Sequence, residues 1–462
     1  MKRTTPLLLA GLWATFANAA EVSDLTYTDN GSAVTITSCD EAATGALTIP
    51  GTLGGLPVTT IASQAFSGCS GLTSIELPSS VTTIENSAFY RCSGLASINL
   101  PSGLSSIALS TFSGCSSLSS ITIPASVTSI GASAFRECSA LTEVVIPVGV
   151  TEIANHSFAW CSQLSSVTIP EGVTSLESSC FYNCSSLGSL ALPASLESFG
   201  SQALYGCRSL SELLLAEGNT SFSLVDGVLF NADGTRLIQY PPALPGASYT
   251  VPEGVTEIAT WSMSEMQNVT SLTLPSTLEV IGSRALYQNF SLTEVVFTGS
   301  VSRIEDAAFF RCYGLDSITL PATLTELGSS VFGQCSSLEE VVFEGDKPTG
   351  GEGTDAGFDE TGIVAYGWTS GWGATFMGRP VELIGDALDV SIAIVAGVPT
   401  LTIDSSPGDV FQIYRSEDGV FGESPLVASL SADGSGSETV WEDSDGLDGA
   451  FYRVLRETPT LD

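Results

Sequence analysis

The chain has 462 residues, with 50 acidic residues against 14 Lys plus Arg and a formal net charge of −36. Only 14% of the residues are charged and 43% are hydrophobic, which excludes a disordered acidic chain because disorder combines high charge with low hydrophobicity. The scarcity of Lys and Arg excludes nucleic-acid binding as the main activity, since phosphate contacts need clustered basic residues. With one histidine, His156, sites built from several histidines are excluded as well.

Residues 1–19 have the pattern of a secretory signal peptide. A basic start at Lys2-Arg3 precedes an apolar run from Leu7 to Ala17, and Ala17-Asn18-Ala19 has the form of a cleavage site. A transmembrane anchor is the alternative, but the run is much shorter than the ~20 residues of a spanning helix. The sequence therefore predicts a secreted or cell-surface protein.

A 23-residue repeat dominates the chain beyond this segment. Phe followed three residues later by Cys recurs at this step from Phe66/Cys69 to Leu204/Cys207, and the series resumes from Met263/Met266 to Phe332/Cys335. The interval from 204 to 263 is 59 residues, or 23 plus 36, which predicts an insertion at about residues 216–251.

Residues 118–140 form a representative unit. Ile121-Thr122-Ile123 alternates as a short strand does, and Pro124 ends the strand because proline has no N–H for the ladder. Ala134 to Cys138 predicts a compact turn or short helix. No unit can bury its apolar residues alone, so we expect stacked coils with parallel strands around one core. Looser packing is expected where Met263/Met266 and Leu286/Asn289 replace Phe and Cys.

Nine of the 11 cysteines occupy one position of the repeat. An exported protein favours a disulfide framework, but stacked equivalents would lie ~4.8 Å apart, wider than the ~3.5–4.5 Å between the Cβ atoms of a disulfide. We interpret them as buried apolar fillers, and a redox or covalent ladder is the alternative. They are Cys69, Cys92, Cys115, Cys138, Cys161, Cys184, Cys207, Cys312 and Cys335.

The motifs Ala-Phe-x-x-Cys-x-x-Leu and Val-Thr-x-Ile resemble the BspA-type leucine-rich repeats of bacterial surface proteins, over about residues 26–345. The resemblance implies an N-terminal capping hairpin at residues 20–60, a repeat solenoid at 61–345 and a C-terminal capping segment at 346–385. It implies that the insertion is a hairpin, for which Asp233-Gly234 suits a tight turn. Contact with host or matrix proteins is also implied.

Residues 386–462 alternate apolar and polar residues between turns. About six strands in a segment of this length predict a small all-β sandwich. The segment resembles the fibronectin-like terminal modules of secreted bacterial proteins.

Aromatic side chains near the core Phe are the candidate binding residues, because exposed aromatics anchor sugars and proteins. All but one stand directly after the core position, and Trp160 stands one position later. The alternative is that they shield the edge of the solenoid. The set is Tyr90, Trp160, Tyr182, Tyr205, Tyr287 and Phe310.

Catalytic motifs are missing from the sequence. It contains neither Gly-x-Ser-x-Gly nor Cys-x-x-Cys, and His156 is interpreted as a turn residue. Asp443, Asp445 and Asp448 have a calcium-like spacing, for which turn chemistry is the alternative. We expect no catalytic residue and no cofactor other than calcium.

These observations predict a non-enzymatic binding protein that recognises a protein or glycan on a host, a matrix or a neighbouring cell through the repeat surface. A passive envelope or matrix scaffold is the first alternative. A polysaccharide-degrading enzyme on a parallel β-helix is the second, and the shortage of Lys and His argues against it.

Overall fold

The computed structural model describes residues 20–350 and, beyond them, the backbone of nine strands between Gly362 and Glu457. The chain divides into two compact units. The first consists of residues 1–245 and 259–268, and the second of residues 246–258 and 269–462. The signal-peptide prediction for residues 1–19 lies outside the described residues.

The regular coils of the first unit form two rows of short strands, which we name row A and row B. Within both rows, each paired strand is parallel to its partner, and paired residues are one repeat apart. Glu143, for example, lies opposite Ser166. Row A consists of Gly45–Thr48, Leu72–Glu76, Ser97–Ile98, Glu143–Val145, Ser166–Thr168, Ser189–Leu192 and Glu212–Leu215. Row B consists of Leu56–Ile61, Thr83–Ile84, Ser106–Ile107, Ser129–Ile130, Glu152–Ile153, Ser175–Leu176 and Ser198–Phe199.

The predicted solenoid of stacked 23-residue coils is therefore confirmed. The rows are broken into several short sheets rather than one continuous sheet. The prediction of a strand at Ile121–Ile123 is wrong: this segment has no strand pairing, although Ser97–Ile98 in the preceding coil and Glu143–Val145 in the following coil are strands.

An antiparallel hairpin begins the described chain. After a 3-10 turn at Val22–Asp24, strand Leu25–Asp29 pairs with Val34–Cys39, which in turn lies parallel to Leu56–Ile61 of row B. A second small hairpin joins Thr52–Leu53 to the start of the row B strand. The first hairpin thus covers an edge that would otherwise expose unpaired backbone groups.

The turn that contains the Phe–Cys motif is held by alternating hydrogen bonds. The N–H groups of Ser133, Phe135 and Glu137 donate to carbonyls of the next coil at 2.8–2.9 Å, while the residues between them close local turns. Ser133 and Glu137 have φ of 55° and 63°, and both positions recur with positive φ along the repeat. The motif therefore forms a turn, and the alternative of a short helix is not observed in residues 131–138.

A ladder of stacked phenylalanines forms the centre of the first unit. Six rings from Phe66 to Phe181 follow one another with centroids 5.1–5.6 Å apart, and all six are fully buried. Each gains the burial energy of an aromatic side chain and a stacking contact of about 0.5–1.5 kcal/mol.

The repeated cysteines fill the core and also form hydrogen bonds between coils. From Cys92 to Cys207, every thiol donates to the carbonyl of the core Phe one coil earlier, over 3.0–3.2 Å. All nine repeated cysteines are buried. Burial raises the pKa of the Cys161 and Cys207 thiols to about 12.

The insertion predicted at about residues 216–251 contains the expected hairpin, with Asp233-Gly234 in its turn, and one further antiparallel strand before it. Strand Phe222–Val225 pairs antiparallel with Val228–Asn231, which pairs antiparallel with Arg236–Gln239. The Leu237 carbonyl then accepts from the N–H of Ala259, as the Ile153 carbonyl accepts from Glu177 in a regular coil. Residues 210–245, the enlarged coil, therefore complete a turn of the solenoid.

The second unit repeats the same two rows. Its row A strands are Ser248–Thr250, Ser271–Leu274, Glu294–Phe297, Ser317–Leu320, Glu340–Phe343, Gly362–Tyr366 and Arg379–Ile384, with Thr375–Phe376 antiparallel to the last. Its row B strands are Glu257–Ile258, Val280–Ile281, Arg303–Ile304, Glu326–Leu327 and Thr349–Gly350.

The side chains that replace Phe and Cys are as buried as those they replace. Met263, Met266, Leu286 and Asn289 are all at most 1% exposed, so exposure gives no sign of the looser packing expected there. The Asn289 side-chain amide donates to the carbonyl of Leu286 in its own turn at 3.0 Å, whereas the repeated thiols donate to the preceding coil.

Two three-stranded antiparallel sheets lie in the C-terminal segment. One has the order Val390–Val395, Val398–Asp404, Glu438–Glu442, and the other Leu426–Ser431, Val410–Ser416, Phe451–Glu457. The packing of these sheets as a sandwich stays a prediction.

Candidate binding surface

Three columns of side chains leave each Phe–Cys turn, and we name them by position. The aromatic column follows the core Phe, the left-handed column comes one residue later, and the serine column follows the Cys. In the coil of Phe158, the left-handed column holds Trp160, with φ of 64°, and the serine column holds Ser162. Because the coils stack in register, each column runs along the solenoid.

Four aromatic rings meet near the end of the regular coils, and we call them the aromatic cluster. Trp160 lies 5.6 Å from Tyr182, Tyr182 lies 5.1 Å from Tyr205, and Tyr205 lies 4.8 Å edge-on to Trp261, between ring centroids. Trp160 is 46% exposed and the other three are half-buried. The structure thus brings together three of the six predicted aromatic residues.

Trp261 was missed by the sequence reasoning. It stands four residues before the left-handed position of its turn and follows the enlarged coil, so the 23-residue step did not align it with Tyr205. Its own positive φ of 65° marks the other repeated left-handed position, which His156 occupies in an earlier coil.

The remaining predicted aromatics lie in separate places. Tyr90 carries the Arg91 guanidinium 5.1 Å above its ring. Tyr287 stacks on Phe310 at 5.5 Å in the second unit, where Phe290 and Tyr313 form another stacked pair at 5.1 Å that was not predicted. The six predicted aromatic residues therefore lie in three separate groups.

A shallow groove of about 610 Å³ runs beside the aromatic cluster in the first unit. One wall is the left-handed column and the other is the serine column, over four consecutive coils. Gly114 is part of the left-handed wall, with φ of 79°, and a Cβ there would lie 3.0 Å from Cγ of Arg91. The lining residues are Arg91, Ser93, Gly114, Ser116, Glu137, Ser139, Trp160 and Ser162.

The groove has little net charge. Arg91 stands at one end, and Glu137 is paired with Arg136 at 3.2 Å, both about half exposed. His156 lies in the same turn as Trp160, and burial followed by the charge of Arg136 lowers its pKa. His156 lies in a turn of the backbone with φ of 55°, as interpreted from the sequence.

The described residues do not include a candidate metal site. Residues 20–350 contain no group of three or more His, Cys, Asp or Glu side chains arranged to hold a metal ion. The predicted calcium ligands Asp443, Asp445 and Asp448 lie outside the described residues. The calcium site stays a prediction.

The repeat geometry and the sequence now agree with a known family. The profile of the BspA type leucine-rich repeat region, with six copies, matches residues 54–161, 128–225 and 246–349, which together are more than half of the chain. The chain belongs to the BspA-type leucine-rich repeat family. No curated protein matches this BspA-type chain.

Two solved structures resemble this BspA-type protein. A leucine-rich cell-surface protein of Faecalibacterium prausnitzii is 29% identical, with a TM-score of 0.62, and the match covers 69% of this chain and 86% of that one. The pneumococcal vaccine antigen PcpA is 25% identical, with a TM-score of 0.52, over 76% of this chain and 87% of that one. In residues 20–350, no helix is long and apolar enough to cross a membrane.

Proposed function

We propose that this BspA-type protein is a non-enzymatic binding protein of the bacterial cell surface or its surroundings. It holds a protein or glycan ligand on the first unit, through the aromatic cluster and the groove beside it. The observation that carries the proposal is the contiguous set of four rings from Trp160 to Trp261, which ends in an indole that is 46% exposed.

The chemistry of the surface supports binding rather than catalysis. The groove offers an indole, serine hydroxyls and one charge of each sign, but neither a nucleophile paired with a base nor two facing carboxylates. A polysaccharide hydrolase needs a pair of carboxyl groups on opposite sides of the scissile bond. Leucine-rich repeat proteins are in general binding proteins, and Trp and Tyr are the residues that dominate binding energy at interfaces.

The location is supported by three observations together. The sequence begins with a signal-peptide pattern, the chain belongs to a family of bacterial surface proteins, and one solved relative is described as a cell-surface protein. The strongly acidic composition keeps such a solenoid soluble and repels polyanions.

A binding screen tests the proposal. Residues 20–462 are applied to immobilised glycans and extracellular-matrix proteins, with and without calcium. We expect a saturable hit that the pair Tyr182→Ser and Tyr205→Ser weakens at least tenfold. The matched control changes Phe290→Ser and Tyr313→Ser, a stacked pair in the second unit.

Two outcomes contradict the proposal. If the Tyr182/Tyr205 variant loses stability in urea but binds as well as the parent chain, the aromatic cluster shields the solenoid edge and does not bind. If no ligand is retained and calcium induces self-association, the protein is a scaffold.

A further inference from the structure

The groove between Arg91 and Trp160 has the shape of a site for an extended ligand. Its lining comes from four consecutive coils, and Trp160 lies three coil steps from Arg91. At about 4.8 Å per step, the groove is roughly 14 Å long. A linear ligand that runs along the stack of coils would contact all four of them.

The serine wall presents hydrogen-bond acceptors. The hydroxyls of Ser116, Ser139 and Ser162 donate to the backbone carbonyl of the serine one coil earlier, at 3.3–3.5 Å. A hydroxyl that has used its one hydrogen keeps two acceptor lone pairs. The wall therefore offers a row of acceptors, one per coil, to whatever lies in the groove.

This row of acceptors discriminates between classes of linear ligand. An extended peptide alternates N–H groups with carbonyls along its edge, so only its N–H groups can pair with a row of acceptors. The hydroxyl groups of a sugar can all rotate to donate. The wall thus suits a polyhydroxylated chain better than a peptide.

The exposed Trp160 and the charge of the protein further favour an uncharged glycan as the ligand. The exposed indole of Trp160 offers a flat apolar face for the C–H side of a sugar ring, as aromatic side chains do in binding pockets. The groove contains one Arg and one Glu, and the whole chain carries −36, so an anionic glycan gains little in the groove and is repelled outside it.

We propose that the groove from Arg91 to Trp160 binds a neutral, linear glycan, with Trp160 under one sugar ring and the serine column accepting hydrogen bonds from its hydroxyls. This inference rests on the proposed function, since it names the ligand class of the same surface. It assigns the specificity for hydroxylated ligands to the serine column, whereas the sequence analysis named only aromatic residues as candidate binding residues.

Calorimetric titration of residues 20–462 tests the inference. The probes are cellohexaose, laminarihexaose and mannohexaose, with hexagalacturonic acid as the anionic comparison. We expect at least one neutral hexaose to bind saturably, and at least tenfold more tightly than the anionic one. Trp160→Ala is expected to weaken that binding at least tenfold, and Phe290→Ala, an exposed aromatic of the second unit, to leave it unchanged.

The serine column provides a matched pair of variants. Ser139→Ala removes one acceptor inside the groove and is expected to weaken binding about 3- to 10-fold. Ser185→Ala removes the equivalent hydroxyl one coil beyond the groove, where it donates to Ser162 at 3.2 Å, and should not change the affinity. Equal loss in both variants would show a structural effect and overturn the assignment.

The results separate this inference from the proposed function. If none of the neutral hexaoses binds, but a protein ligand is retained and depends on Tyr182 and Tyr205, the glycan inference is wrong and the proposed function stands. If neither sugars nor proteins bind, both are wrong. If the hexaose binds equally well to the Trp160→Ala chain, the groove is not its site.

Discussion

The regular coils and the enlarged coil beyond them satisfy their buried polar groups in different ways. In the regular coils, each coil supplies its neighbour through the backbone, through the thiol of the repeated cysteine, and through Ser or Thr hydroxyls that donate one coil back, as Ser165 does to Thr142 at 3.2 Å. Translational symmetry places the same donor opposite the same acceptor in every coil.

In the enlarged coil and beside it, larger polar side chains form these hydrogen bonds. The Asn219 amide donates to three carbonyls between Pro193 and Leu196, at 2.9–3.3 Å, and its oxygen accepts from two N–H groups. Arg208 forms an ion pair at 2.6 Å with Glu265, whose side chain is 1% exposed. Where the repeat length changes, a residue no longer lies opposite its equivalent in the next coil. The Asn219 amide and the Arg208–Glu265 ion pair provide the polar contacts there instead.

The largest effect is expected from breaking the phenylalanine ladder. Phe135→Ala removes a buried ring between Phe112 and Phe158 and should lower the free energy of unfolding by about 3–5 kcal/mol, because it leaves a cavity in a close-packed core. Urea unfolding measures this change. Phe290→Ala, at an exposed ring, should cost less than about 1 kcal/mol. Similar losses in both variants would contradict a core role for the ladder.

The Arg208–Glu265 ion pair, which joins residues on either side of the enlarged coil, can be tested in the same way. Arg208→Met leaves the buried Glu265 carboxylate without its guanidinium and should cost roughly 2–3 kcal/mol, below the 3–5 of a fully buried pair because Arg208 is half exposed. Adding Glu265→Met should recover most of the loss, since both charges are then gone. A double variant less stable than the single one would show that packing, rather than charge, holds this site.

The buried thiols predict a dependence on alkaline pH. Burial raises the pKa of Cys161 and Cys207 to about 12, above the ~8.5 of an unfolded thiol. Their contribution to stability is fully present below pH ~8.5 and is lost as the pH rises toward 12, by up to roughly 2 kcal/mol per thiol at pH 10. Urea unfolding at pH 7 and pH 10 measures the loss, which should be smaller in Cys161→Ala. Rapid alkylation of most thiols in the native chain would contradict their burial.

The smallest effect concerns the left-handed turn positions. Ser133 has φ of 55°, where a β-branched side chain is disfavoured, so Ser133→Val should lower the free energy of unfolding by about 1–2 kcal/mol. Ser133→Gly should be neutral or stabilising by up to about 1 kcal/mol, because glycine adopts this conformation freely. Equal stability of the two variants in urea would show that the turn relaxes.

The regular coils could be predicted from the sequence because every contact in them recurs at one step. The step of Phe and Cys identified the core, the family and the position of Trp160. It could not predict the contact of Tyr205 with Trp261 or the Arg208–Glu265 ion pair. These contacts join residues 56 and 57 positions apart, because a coil of different length lies between them. Nor could it predict the groove, which depends on how the side chains of four consecutive coils lie beside one another.

Hydrogen–deuterium exchange of residues 20–462, with and without a retained ligand, tests the central claim most directly. We expect ligand-dependent protection in peptides of the first unit that contain the groove and the aromatic cluster, between Arg91 and Ser162 and around Tyr182 and Tyr205. Protection confined to the second unit, or to the row A strands, would contradict the assignment of the binding surface to these turns.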